Sequence, residues 1–256
     1  MTGESEPLLE GTLISHLLEL RTRLMRAFLA VVLVFIPFAF YSNHLFELLS
    51  HPLLQQLPPN STLISTSITA PFTAPLKLAF IAALVIAMPY VLYELWAFIA
   101  PGLYRHEKGF AVPLLISAVI LFYVGVAFAY FVVFPLIFNF FVNTAPRGVT
   151  LMADISMYMQ FVLVLLFSFG IAFEVPVAVV LLVLMRIVPL EKLTQIRGYV
   201  LIAVFIIAAV LTPPDAISQT IMAVPMYCLY EGGILFARLM MRNRAKTEQP
   251  AAGENE

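Results

Sequence analysis

The chain alternates long apolar runs with short polar stretches, and this pattern dominates every other signal in it. Six runs are long enough to read as helices buried in an apolar medium: Leu24–Tyr41, Leu76–Ala100, Phe110–Phe141, Tyr158–Met185, Gly198–Leu211 and Ala216–Phe236. A bilayer core of about 30 Å needs roughly 20 apolar helical residues, and most of the runs satisfy it. The third is longer than required and predicts a helix that tilts or projects from the membrane. The fifth holds about 14 residues, roughly 21 Å at the helical rise, which is short for an ordinary bilayer. Prolines recur inside the runs, at Pro37, Pro89, Pro113, Pro135, Pro176 and Pro225. Each removes a backbone donor and tends to kink its helix, which neighbouring helices can tolerate in lipid. The pattern predicts an all-α integral membrane protein of six kinked transmembrane helices, forming a concave bundle. A tail (residues 1–23) precedes the helical domain (24–237), and a polar, unstructured tail (238–256) follows it.

Composition agrees. The 256 residues are 62% hydrophobic and 11% charged, against about 45–50% and 25% in an ordinary soluble domain. The N-terminus carries Glu4, Glu6 and Glu10 where a cleavable signal would be basic. Charge placement predicts orientation. With a cytoplasmic N-terminus, twelve of the fourteen Lys and Arg residues fall on the cytoplasmic side, leaving only Lys77 and Arg147 opposite. The positive-inside rule therefore favours both termini in the cytoplasm. On the outer side, residues 42–75 carry Pro52, Pro58 and Pro59, a Ser/Thr run and a short amphipathic piece at Phe46–Leu54. The last outer connection, Thr212-Pro213-Pro214-Asp215, reads as a tight hairpin.

Few residues carry candidate chemistry. Glu174 lies inside the fourth run, where a carboxylate is costly and must be protonated, paired or facing a wet cavity. Asp215, at the tip of the short fifth run, fits either a helix N-cap or an acid at a locally thinned bilayer. Glu107 and Glu19 suit guanidinium recognition but also ordinary surface solvation. Glu94, near the end of the second run, reads most simply as an interfacial residue. No phosphate-binding Gly-rich loop, zinc-protease spacing or serine elbow occurs, and His16, His44, His51 and His106 are scattered. The single cysteine, Cys228, excludes an internal disulfide. No cofactor, metal or nucleic-acid partner is expected.

Four stretches together carry a resemblance. His16-Leu17-Leu18-Glu19-Leu20-Arg21-Thr22-Arg23-Leu24, the run Trp96 to Glu107 (Trp-Ala-Phe-Ile-Ala-Pro-Gly-Leu-Tyr-Arg-His-Glu), Phe173-Glu174-Val175-Pro176, and Leu211-Thr212-Pro213-Pro214-Asp215 followed by Ser218-Gln219 resemble, in order, the motifs of the proteobacterial TatC family. The resemblance covers residues 12 to 238. It implies a non-enzymatic core subunit of the twin-arginine protein translocase in the cell inner membrane. Such a subunit binds the twin-arginine signal peptide of folded cargo. It assembles with TatA-like and TatB-like single-span proteins, associates with itself, and supports export driven by the proton-motive force. It further implies that Glu107 contacts the arginine pair, that Glu19, Arg21, Arg23, Phe98 and Arg105 line or shape the same patch, and that Pro52 is functionally sensitive. Glu174 and Asp215 would act at or within the membrane, Glu174 facing a wet groove. Thr212 and Gln219 would contact a partner helix, a patch in which Ala209 is smaller than the residue expected. The residues alone also allow a proton-coupled transporter of a small solute with Glu174 as its coupling acid, although no internal repeat supports it.

Overall fold

The computed structural model describes residues 7–54, 63–99, 111–144, 152–212 and 215–248. Among them, five helical stretches are long and apolar enough to cross a membrane: Ile14–Phe40, Ala70–Ile99, Ala111–Thr144, Ile155–Leu184 and Ala216–Arg242. A sixth apolar helix, Arg197–Leu211, is shorter. These are the six expected runs. The individual helices are α1 (Pro7–Phe40), α2 (Ser42–Leu54), α3 (Ala70–Ile99), α4 (Ala111–Phe128), α5 (Phe134–Thr144), α6 (Ile155–Ala172), α7 (Val175–Leu184), α8 (Leu190–Gln195), α9 (Arg197–Leu211) and α10 (Ala216–Glu248).

The prolines act differently from one another. α1, α3 and α10 run through Pro37, Pro75, Pro89 and Pro225 without interruption. The third span does not continue as one α-helix. Ala129–Val133 forms a π-helical turn, in which the Phe134 amide donates to the Ala129 carbonyl five residues back. Pro135 follows at once and can make no bond to the carbonyl of Phe131. The wider turn takes up the residue the proline leaves out of register. The fourth span breaks outright at Phe173–Glu174, and Pro176 stands in the first turn of α7, where its missing N–H costs no helical bond. That span ends in a Schellman motif: the Arg186 amide donates to Val183 and the Ile187 amide to Leu182, with Arg186 left-handed at φ 56°. Past Arg238, where the sequence reads as an unstructured tail, α10 continues to Glu248. Its residues there are good helix formers, and proline and glycine recur only beyond it.

Two compact units emerge, Met1–Phe46 with Pro75–Val119, and Glu47–Ala74 with Ile120–Glu256. In the first, α1 and α3 lie antiparallel. His16 stacks on Phe98, Arg23 meets Glu94, and Phe35 packs edge-on to Phe80. From His16 to Phe35 the chain advances 19 residues while its partners retreat 18. In the second, Val133, Phe134, Ile137, Val162, Phe169 and Met222 form the centre of a core built from α5, α6 and α10. α10 packs closely on α7 at Gly233, where an added Cβ would stand 2.8 Å from the Pro176 Cα. At neighbouring Gly232 an added Cβ would meet nothing within 4 Å.

A two-residue parallel bridge, β1 (Leu63–Ile64) with β2 (Ala153–Asp154), links the segment before α3 to the segment before α6. The sequence pattern does not signal it. Asp154 fastens it: one carboxylate oxygen accepts the Thr66 hydroxyl and amide at 2.6 and 2.9 Å, and the other caps α6 through the Ser156 and Met157 amides. The Thr66 hydroxyl first, then the Thr66 and Met157 amides, lower the Asp154 carboxyl from 3.8 to about 2.

Two outcomes follow from these contacts. Gly233→Ala should destabilise the protein by about 1–3 kcal/mol, since overpacking against a backbone outweighs the helix-propensity gain of about 1 kcal/mol. Gly232→Ala, with open space, should be neutral or stabilising, and thermal melts of the two variants check the contrast. For Asp154 the folded carboxyl titrates below the unfolded one, so its contribution is complete above about 3.8 and lost as pH falls through about 2. The melting-temperature gap between wild type and Asp154→Ala should hold constant at neutral pH and close toward pH 2; a gap independent of pH would refute the assignment.

Candidate functional site

The first cluster lies where α1 and α3 meet. Glu19 and Arg23 are one helical turn apart and share a face of α1. The Arg23 Nε and Nη2 donate to the same Glu19 oxygen at 2.9 and 2.7 Å. Its Nη1 donates to Glu94 at 3.2 Å, and the Tyr90 hydroxyl donates to the other Glu94 oxygen at 2.9 Å. The Glu94 side chain is only 5% exposed, Arg23 22% and Glu19 37%. Two carboxylates facing one guanidinium leave an excess negative charge. Phe98, one turn beyond Glu94, stacks on His16 with ring centroids 4.2 Å apart. Arg21 is exposed elsewhere on α1, beside Leu18, Met25 and Arg26. Arg105 and Glu107 fall in the connection after α3 and lie outside the described residues.

Glu94 is buried within the protein and doubly hydrogen-bonded, which its position near the end of the second run does not signal. Together with Tyr90 and His16 it completes a patch of which the sequence yields Glu19, Arg23 and Phe98. Its signal was the Tyr-x-x-x-Glu spacing, which puts donor and acceptor on one helix face. The same spacing occurs in the second unit, where Tyr227 donates to Glu231 at 3.0 Å and Arg197 donates to that carboxylate's other oxygen at 2.7 Å. Beside it, the buried Tyr230 hydroxyl donates to the Leu193 carbonyl.

Glu174 occupies the break between α6 and α7. Its backbone is bound, the amide to Ile171 and the carbonyl by Ala178. One carboxylate oxygen is buried and has no hydrogen-bond partner among the described residues. Asp215 caps α10 through the Ser218 amide at 2.7 Å, and its other oxygen is buried and unpartnered among the described residues. Thr212 is buried and donates to the Ala208 carbonyl of its own helix. Gln219 reaches from α10 to the Phe205 carbonyl at 2.9 Å, beside a shallow apolar groove of about 330 Å³ lined by Leu201, Ile202, Phe205, Ile206 and Ala209. Pro52 lies within α2.

The five long apolar helices and the shorter sixth define a multi-pass α-helical membrane protein. Residues 15–225 match the model of the Sec-independent protein translocase protein (TatC) family. The chain is 50% identical to the Sec-independent protein translocase protein TatC of Escherichia coli strain K12 over 235 residues, covering 91% of each. It is 48% identical to that of Azotobacter chroococcum mcd 1 over 255 residues, covering 99% of this chain and 98% of the relative. A crystal structure of the twin-arginine translocase receptor TatC superposes with a TM-score of 0.80 at 36% identity, covering 88% of this chain and 98% of that one. The chain belongs to the TatC family. It is thus a protein-translocase component and not an enzyme, and the comparisons give no support to the solute-transporter alternative.

Removing Tyr90 or Arg23 should disturb Glu94 unequally. Tyr90→Phe deletes one neutral donor, whereas Arg23→Ala strands a buried carboxylate. Arg23→Ala should therefore lower the melting temperature by more than Tyr90→Phe, as measured on the purified protein. Equal effects would show that Glu94 is solvated and not held by Arg23.

Proposed function

We propose that this chain is the signal-peptide-receiving core subunit of a twin-arginine translocase, with both termini in the cytoplasm. The observation that carries the reading is the acidic cluster of Glu19 and Glu94 at the end of α3. The connection bearing Arg105 and Glu107 leaves that end. Guanidinium groups gain charge-assisted, bidentate hydrogen bonds from carboxylates at a partly desolvated surface. Lysine cannot reproduce that fork. Glu107 would take the arginine pair, Glu19 would supply a second acceptor, and Phe98 stacked on His16 would wall the patch. Arg21 and Arg105 would set its outer charge.

The remainder of the polar inventory fits the same assembly. Glu174, with a carboxylate oxygen unmatched at a helix break, would face the path of the inserted signal peptide. The groove beside Gln219 and Thr212 would seat a partner helix, supplied by TatA-like or TatB-like single-span proteins. Pro52 would shape the outer face used in assembly, including self-association. Transport energy would come from the proton-motive force. α9 holds 15 residues, about 22 Å at the helical rise against a core of about 30 Å. Lipid beside it, near Asp215, would thin to match and lower the barrier to inserting a hairpin.

Binding of a twin-arginine signal peptide to the purified protein should be tight, and should fall roughly tenfold or more, or about 1.4 kcal/mol, for a twin-lysine version and for Glu107→Ala. Equal weak binding in all combinations by folded protein would remove the receptor reading. Lengthening α9 by one apolar turn should reduce export of a twin-arginine reporter; unimpaired export would sink the thinning step.

A further inference from the structure

The buried Glu94 belongs to the acidic cluster, but the receptor reading gives it no contact with the ligand. Both its oxygens are occupied, by Arg23 and Tyr90, and its side chain is 5% exposed. It is therefore badly placed to bind a ligand itself. Its effect on Glu19 is more informative. An unrestrained arginine one turn from a glutamate can close on it as a fork, each nitrogen taking its own oxygen. Here Nε and Nη2 both converge on Glu19 Oε1, while Nη1 is drawn to Glu94. Glu19 Oε2 accepts no hydrogen bond among the described residues; His16 Nδ1 stands 3.9 Å from it, beyond hydrogen-bond distance.

We propose that Glu94 is a positioning residue of the receptor patch: by holding Arg23 across two acids, it keeps one Glu19 oxygen open to an incoming guanidinium. The proposal rests on the receptor reading above. In physical terms, Arg23 serves as a resident guanidinium that is prevented from saturating Glu19. Its grip also fixes the Glu19 rotamer before the ligand arrives, so less ordering is lost on binding. Tyr90 plays the supporting part, fixing the Glu94 carboxylate by its second oxygen. Without Glu94, Arg23 closes on Glu19 and competes with the signal peptide.

The role is geometric, so an acceptor oxygen at residue 94 suffices. Glu94→Gln keeps a carbonyl oxygen for Arg23 and an amide that can donate to the Tyr90 hydroxyl. Glu94→Ala keeps neither.

The test uses full-length protein in detergent, with twin-arginine and twin-lysine peptides. Glu94→Ala should weaken twin-arginine binding roughly tenfold and shrink the arginine-to-lysine ratio, Glu94→Gln should restore both, and Tyr90→Phe should show a smaller loss of the same kind. Thermal melts run beside each variant. A lowered melting temperature with affinity and ratio unchanged would make Glu94 merely structural and overturn the proposal. Equal losses in Gln and Ala would overturn it by making charge, not geometry, decisive. If Glu94→Ala fails to fold, Tyr90→Phe and Glu94→Gln decide: a Tyr90→Phe affinity and ratio equal to wild type refute the proposal. Failure of the wild type to prefer twin-arginine would instead remove the receptor reading, and this proposal with it.

Discussion

A polar group inside lipid has no water to fall back on, and this requirement governs the molecule at every scale. Each backbone amide in the hydrocarbon must find a carbonyl within the protein, so the spanning segments are helical. Irregularity is confined to places where a proline has already removed a donor. The π-helical turn before Pro135 and the break before Pro176 are two answers to one problem. In the first, the helix widens and continues; in the second, it stops and restarts, with the proline where no donor is required. Pro37, Pro75, Pro89 and Pro225 provoke neither response. The helix breaks are where side chains can leave the regular pattern, and Glu174 sits in one of them.

Side chains answer to the same requirement. Two acids on apolar helices, Glu94 near the end of α3 and Glu231 midway along α10, are each met by a tyrosine one turn earlier and by an arginine from another helix. The tyrosine satisfies one oxygen without adding charge, and the arginine satisfies the other while neutralising it. Breaking the Arg23–Glu94 pair leaves an uncompensated buried charge, which costs far more than the pair contributes when intact. Each tie thus fixes how two helices meet more than it adds to stability. In the first unit the tie falls beside Glu19, so helix registration and the proposed receptor geometry depend on the same guanidinium. Glu174 and Asp215 depart from this arrangement: each keeps a buried oxygen without a partner among the described residues. Such groups are where ligands and partner helices have most to gain.

The apolar runs and the order of the motifs were enough to determine the six helical spans and the family, but not where the first begins or the last ends. Hydropathy and spacing are local properties of a helix in lipid, and both are written residue by residue. The Asp215 cap was also legible, because an N-cap is a contact over three residues. What the sequence could not determine depends on residues far apart in the chain. Arg23 and Glu94 are 71 positions apart, and Thr66 and Asp154 are 88. Nothing in either segment alone distinguishes a buried, paired glutamate from an interfacial one, or marks Leu63–Ile64 as half of a bridge. Only the antiparallel register of α1 on α3 brings Arg23 to Glu94, and only the pairing of β1 with β2 brings Thr66 to Asp154. Composition settled that the helices lie in lipid; tertiary packing decided which polar groups meet there, because a charge is satisfied by whatever folding brings within about 3 Å of it.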